Sequence, residues 1–214
     1  MMEVKGKEDA MKKFKQSAYS VLGRIYIPEE LLGKKPVALH ISDTPSAIYG
    51  ALRSLIRILK PQVILHTGDL CDHIKLENNE NLMDEYQQDV VKILRIMEFS
   101  SAKDIHITMG NHDKYAVLKP LVKRSVLHEL SAVVKLGDFS YHLSHYYEDV
   151  EVDPKDFNLY GHNLEAETEK VRTKWFLNGV MNIHVIELDS GKVHKLRYPW
   201  GTNDYRYRRR RRGL

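Results

Sequence analysis

The sequence predicts an α/β fold, and three observations carry that expectation. Short apolar runs alternate with segments of helical periodicity between residues 37 and 109, in the order strand, helix, strand, helix, strand. That order implies a parallel sheet with crossover helices. Beyond it the pattern changes to closely spaced short strands, which read as a mainly antiparallel second sheet packed against the first. A length of 214 residues suits one domain with a substantial core.

The elements follow in order. Val37 to Ile41 is a short apolar run of the kind a buried strand shows. Ile48, Leu52, Leu55, Ile56 and Leu59 mark one face of a helix over Ser46 to Lys60, which Pro61 stops. Val63 to His66 is the second strand. Met83, Tyr86, Val90, Ile93, Leu94 and Met97 mark a second amphipathic helix, and Ile105 to Met109 the third strand. Later strands are expected at Val133 to Leu136, Phe139 to Leu143, Phe157 to Tyr160, Met181 to Leu188 and Lys192 to Leu196. The last two form a hairpin turned at Asp189-Ser190-Gly191. The chain thus divides into a Lys-rich lead-in over 1–35, a domain over 36–198 and a basic tail over 199–214, whose Arg run is expected to be disordered.

Composition excludes several classes. Hydrophobic residues at 43% and charged residues at 29% describe an ordinary globular protein. No run approaches the roughly 18 apolar residues of a membrane span, and the first 23 residues lack the apolar stretch of a secretory signal. Cys71 is the single cysteine, so there is neither a disulfide framework nor a Cys-based zinc site, and a reducing, cytoplasmic setting is expected. Arg206 and Arg208 to Arg212 supply six of the 33 basic residues. Without them 27 basic residues face 29 acidic ones, a net of −2, so the body offers no broad nucleic-acid surface.

Chemistry-bearing residues gather where the strands end, which is where open α/β sheets place their sites. The first strand ends in Ser42-Asp43, the second in Gly68-Asp69, and the third in Gly110-Asn111-His112-Asp113. Two later strand ends contribute His145 and His162. Hard oxygen ligands with imidazoles suit Mn, Fe, Zn or Ni better than Ca. A bridging carboxylate is what a two-metal phosphoryl-transfer site requires, and Asp69 is the candidate.

Ile41-Ser42-Asp43, Gly68-Asp69-Leu70-Cys71-Asp72, Gly110-Asn111-His112-Asp113, His145 and Gly161-His162 resemble, in order and spacing, the motifs of the calcineurin-like metallophosphoesterases, over about residues 36 to 197. The body, which has no long insertion, resembles the small phosphodiesterases of that superfamily. The resemblance implies a metallophosphoesterase β-sandwich flanked by helices, four layers in the order α/β/β/α, and two metals. By position, Asp69 would bridge the metals. Asn111, His145 and His162 would complete one site, and Asp43 would belong to the other. His112 would face the scissile phosphate, with Asp113 orienting its ring. Metal-bound hydroxide would attack a phosphodiester or phosphomonoester in line, and His112 would assist the leaving oxygen.

Two departures qualify this. The family's Asp-x-His is here Asp43-Thr44-Pro45, and its Gly-His-x-His is Gly161-His162-Asn163-Leu164. Both missing histidines serve the same metal, which leaves that site Asp43 and Asp69. One tightly held ion is therefore expected, with Mn first and Fe, Zn, Ni or Mg admissible, and one weakly held Mg or Mn. Glu165 and Glu167 stand near the lost histidine as replacement oxygens, and Asp72 and His73 as neighbours of the bridge. The runner-up reading is a catalytically weak scaffold that keeps the fold for partner binding, as the metallophosphoesterase-like subunit of retromer does. A third is a nuclease guided by the Arg-rich tail.

Each residue also has a plain reading. Asp43 and Asp69 can cap the helices that follow, Asn111 can sit in a left-handed turn, and a lone histidine is more often packed than ligating. His40 and His66 read as sheet residues, Cys71 as a small hydrophobe, and Trp175 and Trp200 as packing groups. The run Arg206 to Arg212 is most simply a solvated tail. Contact to nucleic acid or anionic membrane, with Tyr205 and Tyr207 stacking on bases, and docking to an acidic partner are the alternatives.

Overall fold

The computed structural model describes residues 2–33, 35–165 and 168–207. Among them are six helices: α1 (Met2–Val21), α2 (Tyr49–Leu59), α3 (Met83–Glu98), α4 (Tyr115–Leu121), α5 (Tyr147–Val152) and α6 (Thr202–Arg206). The first strands are β1 (Val37–Ile41), β2 (Val63–His66), β3 (Asp104–Thr108), β4 (Val126–His128), β5 (Ala132–Leu136) and β6 (Phe139–Leu143). They are followed by β7 (Phe157–Tyr160), β8 (Glu169–Val171), β9 (Lys174–Asn178), β10 (Ile183–Glu187) and β11 (Val193–Leu196).

One sheet has the order β11-β10-β1-β2-β3-β4 and the other β5-β6-β7-β9-β8. In the first, β1 to β4 are mutually parallel. Every residue of β1 and β2 is buried, because both faces of this sheet are covered. Leu39, Ile41 and Ile64 join Leu52, Leu55 and Ile56 of α2 and Val90, Ile93 and Met97 of α3 in one core. Their chain neighbours Ala38, Val63 and Leu65 join Tyr141, Leu143, Phe157, Leu159 and Leu177 of the second sheet in another. This is the two-residue alternation of a strand, with an apolar partner on each side. On the outer face of the second sheet, Tyr147 and Val150 of α5 pack with Tyr160 and Phe176. The layers therefore run helix, sheet, sheet, helix, as the family resemblance implies.

Several sequence expectations need correction. The hairpin β10–β11 lies in the first sheet, with β10 antiparallel to β1, not in the second. The second sheet is mixed: β5–β6 and β8–β9 are antiparallel, but β6–β7 and β7–β9 are parallel. The lead-in contains a long helix, α1, tied to the segment after β11 through Ser20 Oγ donating to the Tyr198 carbonyl (2.9 Å) and Trp200 N donating to the Ser20 carbonyl (2.9 Å). Trp200 is exposed rather than packed. Arg206 is not part of a solvated run: it closes α6 and is 1% exposed. Arg208 to Arg212 and Glu167 lie outside the described residues. No helix among those described is long and apolar enough to cross a membrane.

Candidate metal centre

Parallel strands that end at one edge bring their following loops together, and here the loops turn sharply enough to aim side chains back over the sheet. Asp43 (φ 50°), Asp69 (φ 55°) and His162 (φ 72°) all adopt left-handed backbone, which is costly for residues other than glycine. Three such residues at three strand ends mark a site at which the surrounding structure holds strain in place. The loops also interlock. A Cβ on Gly110 would collide with Oδ1 and the backbone nitrogen of Asp69, and one on Gly161 with Ser42 Oγ and the Asp43 carboxylate. Glycine is needed at both positions for close approach.

The six residues expected to converge do so. Nε2 of His145 lies 3.0 Å from Oδ1 of Asn111, 3.2 Å from Nδ1 of His162 and 3.5 Å from Oδ2 of Asp69. Nδ1 of His145 lies 2.8 Å from the Thr67 carbonyl, which fixes that nitrogen as the donor and leaves Nε2 facing the other three groups. Asp43 accepts hydrogen bonds on Oδ2 from His162 N (3.2 Å) and Ser42 Oγ (2.6 Å). The backbone N–H of His112 donates to Asp69 Oδ1 (2.9 Å). One ligand atom each from Asp43, Asp69 and His145 lies within 4.8 Å of the others, and the same holds for Asp69, Asp72 and His112. Asp69 belongs to both groups.

Asp113 departs from its expected role. Its carboxylate accepts from Asp69 N (2.8 Å), Leu70 N (3.1 Å), Gly110 N (2.9 Å) and Tyr86 Oη (3.0 Å), so it braces the loops after β2 and β3 and does not orient the His112 ring. That ring instead meets Glu77 N at Nδ1 (3.4 Å), and Glu77 Oε2 accepts from Asn111 Nδ2 (2.6 Å). Sequence reasoning passed over Glu77, which has no motif around it. Tyr146 was passed over too, although its ring packs edge-on against His145 and His162. Asp72, read from the sequence as a neighbour of the bridge, joins a donor group. His73 sits apart, bonded to Ser46 and Asp89. Pro45 is buried and caps a short 3-10 turn, while Leu164 is 39% exposed and Glu165 exposed.

The electrostatics fit a cation. Burial, then the charges of Asp43 and Asp69, push the Asp72 carboxyl up to about 8 against the opposing Lys75. Burial raises Asp69 too, but the charge and hydrogen bond of His145 outweigh it and hold Asp69 below the usual carboxylate range. Burial lowers His145, and Asp69 overcomes this, lifting it to about 10. Two buried carboxylates beside one imidazolium, and a third whose carboxyl their charge raises, are what a divalent ion would relieve. Carboxylate, amide and imidazole donors suit a first-row transition metal. His112 is lowered by burial, with Asp69 opposing.

Beneath this cluster lies Arg206. It donates through Nε to the Asp43 carbonyl (2.7 Å), through Nη2 to the Ser42 carbonyl (3.2 Å) and through Nη1 to the Val180 carbonyl (2.6 Å). Its guanidinium stacks 4.3 Å from the Tyr198 ring centroid. Its place in a basic run hid this role from the sequence.

Residues 37–212 match the sequence profile of the calcineurin-like phosphoesterases. No curated protein sequence matches the chain. Among solved structures it is similar to YfcE, a phosphoesterase from E. coli, with 16% identity, a TM-score of 0.51, and coverage of 76% of this chain and 99% of that one. It is also similar to an archaeal phosphodiesterase (17% identity, TM-score 0.48, 74% and 98% coverage). A third likeness is to Vps29 of Entamoeba histolytica complexed with Zn2+ (20% identity, TM-score 0.43, 74% and 96% coverage). Likeness at these identities concerns the fold alone. The profile, in contrast, spans both sheets and every strand-end loop described above, and so the chain belongs to the calcineurin-like phosphoesterase family.

Proposed function

We propose that the protein hydrolyses a phosphate ester, in first place a phosphodiester, with divalent metal held by Asp69, Asn111, His145 and His162 and by Asp43 on the other side of Asp69. The observation that carries this reading is the convergence of Asp69, Asn111 and His162 on Nε2 of His145, with the His112 ring beside them. A divalent ion there supplies neutralisation of phosphate charge and a lowered pKa for bound water. The chain supplies the rest. His112, lowered by burial, is neutral at pH 7. Nδ1 faces the Glu77 N–H at 3.4 Å and Nε2 the Asn111 Nδ2 at 3.3 Å; with that amide donating to Glu77 Oε2, the His112 proton is assigned to Nε2. Water adds to phosphorus and releases a proton to solvent, the ester P–O bond breaks, and the departing oxygen takes the proton from His112 Nε2, which solvent then restores. Asp113 keeps the loops of Asp69 and Gly110 in register for this.

Turnover of bis-p-nitrophenyl phosphate and p-nitrophenyl phosphate with Mn tests the proposal. His112→Ala and Asp69→Asn should each reduce turnover by about 100-fold or more. Absence of turnover with Mn, Mg and Zn alike would overturn it. It would leave the scaffold reading, which the loss of both imidazoles of the Asp43 site, at Pro45 and Leu164, favours. The nuclease reading loses Arg206 as a phosphate contact, since that guanidinium is buried.

A further inference from the structure

Away from the metal centre, two cavities open along the solvent side of α2. One, of about 520 Å³, lies between α2 and the end of α3, and the other, of about 660 Å³, between α2 and the end of α1. Arg57 lines both. The first forms a groove along α2 from Arg53 to Lys60, about 10 Å of helix. None of the metal-centre donors lines it. Arg53, Arg57, Lys60 and Arg95 line the first cavity and Arg24 the second, and neither lining holds a carboxylate. All five cations are exposed. Among the described residues their side chains make no ion pair and no hydrogen bond.

Helix-end stabilisation does not account for them. Arg57 and Arg95 stand in the last turns of α2 and α3, where cations are favoured. However, the carbonyls beyond α3 are taken by Arg124, which donates to Glu98 O, Ser100 O and Ala102 O. The carbonyl of Ile56 in α2 accepts from Lys60 N. Arg53 and Arg24 are not at such positions at all. Apolar side chains also stand out: Phe99 is 85% exposed in the first cavity, and Leu22 and Ile58 are well exposed in the second.

We propose that this groove docks an acidic, extended segment of a protein partner, its carboxylates on Arg53, Arg57 and Arg95 and an apolar side chain on Phe99. The length accommodates about three residues of extended chain. Unopposed cations call for an anionic partner, and the exposed Phe99 ring beside them calls for one with an apolar side chain, which separates a peptide from a bare polyanion. The proposal is independent of hydrolysis at the metal centre.

The test is fluorescence anisotropy on the full chain with a fluorescein-labelled peptide of Glu residues interspersed with Leu and Phe. Saturable binding is expected. It should weaken about tenfold or more in the Arg53→Glu/Arg57→Glu double variant and severalfold in Phe99→Ser. It should persist in a chain lacking residues 208–214, while turnover of the chromogenic ester stays unchanged throughout. The Arg57→Gln variant, checked for an unchanged unfolding midpoint, repeats the test with a mild substitution. Binding that ignores the arginine variants, or that disappears with residues 208–214, overturns the proposal. So does equal binding of a single-stranded oligonucleotide of matched charge that Phe99→Ser leaves untouched. Self-association that Arg57→Glu abolishes would make the occupant a second copy, and the proposal would fall.

Discussion

Arg206 shows how much one side chain can bear at this site. Its guanidinium satisfies the carbonyls of Ser42, Asp43 and Val180, so the backbone that presents Asp43 is held from below by a residue some 160 positions away. Removing it leaves buried carbonyls without their donor. Arg206→Met should therefore destabilise the fold by about 3 kcal/mol in urea unfolding, with charge-assisted bonds worth about 1.5–3 kcal/mol each and only partly additive. Arg206→Lys should recover less than half of this, because an ammonium cannot reproduce the planar fork. A Met variant within about 0.5 kcal/mol of the parent would show that the contacts are incidental. A second residue-scale consequence concerns metal content. Pro45 and Leu164 offer no donor, whereas Asp69, Asn111 and His162 each approach Nε2 of His145. Elemental analysis after dialysis should find nearer one tightly bound ion than two, and Pro45→His with Leu164→His should raise that number. Two tight ions in the unmodified chain would point to Asp72 and His112, which with Asp69 form the other donor group. The first shell around His145 was legible because each donor sits in a strand-end motif. Glu77, Tyr146 and Arg206 were not, because only the folded chain brings them there.

At the scale of elements, the hairpin β10–β11 carries a charged network that ties it to the start of β1. Glu187 accepts from His194 Nε2 (2.9 Å), Ser190 Oγ (2.8 Å) and Lys35 Nζ (3.1 Å). The His194 hydrogen bond first, then Ser190 and Lys35, bring its carboxyl down to about 2 from an ordinary 4.5. A folded pKa below the unfolded one gives stability that is present in full above about 4.5 and is lost as pH falls toward 2. Glu187→Gln should thus cost about 1.5–3 kcal/mol at pH 6, and the gap to the parent should shrink by pH 3 in denaturant titrations. A gap that does not change with pH would mean that packing, not charge, explains the loss. This hairpin was legible as a hairpin and misplaced as to sheet, since period-two alternation is the same whichever sheet accepts it. Core elements with strong periodicity, α3 with β1 to β3, were read to within a residue, and α2 starts three residues late because Ser46–Ile48 forms a 3-10 turn. Among the missed elements, β4 and β8 are three residues long and α4 contains Pro120, whereas β9 is a five-residue strand without alternation. In α1, Met11, Phe14, Ala18 and Val21 stand at helical spacing but are diluted by lysines.

For the molecule as a whole, buried histidines couple folding to pH. His40 and His184 meet at 3.1 Å between their Nδ1 atoms, His40 Nε2 lies 2.9 Å from Thr67 Oγ1, and His66 Nε2 lies 3.1 Å from Thr44 Oγ1. All three are fully buried in the central strands of the first sheet. Burial brings His66 and His184 down to about 3 and His40 well below its ordinary value, so the fold holds them neutral. In the unfolded chain they take up protons near 6.5. The unfolded state therefore binds more protons below that pH, and stability falls as pH drops from 6.5 toward 3, by up to about 1.4 kcal/mol per pH unit for each histidine. His145 does not contribute in this window: lifted to about 10, it is charged in both states below 6.5. With a chelator present to remove metal linkage, the unfolding free energy should decline steeply between pH 6.5 and 4. His184→Gln, which keeps a hydrogen-bonding side chain toward His40 but cannot be protonated, should make that slope shallower by about one proton. An unchanged slope in this variant would mean that His184 is protonated within the fold, and that the pair it forms with His40 carries a charge the sheet has found a way to hold.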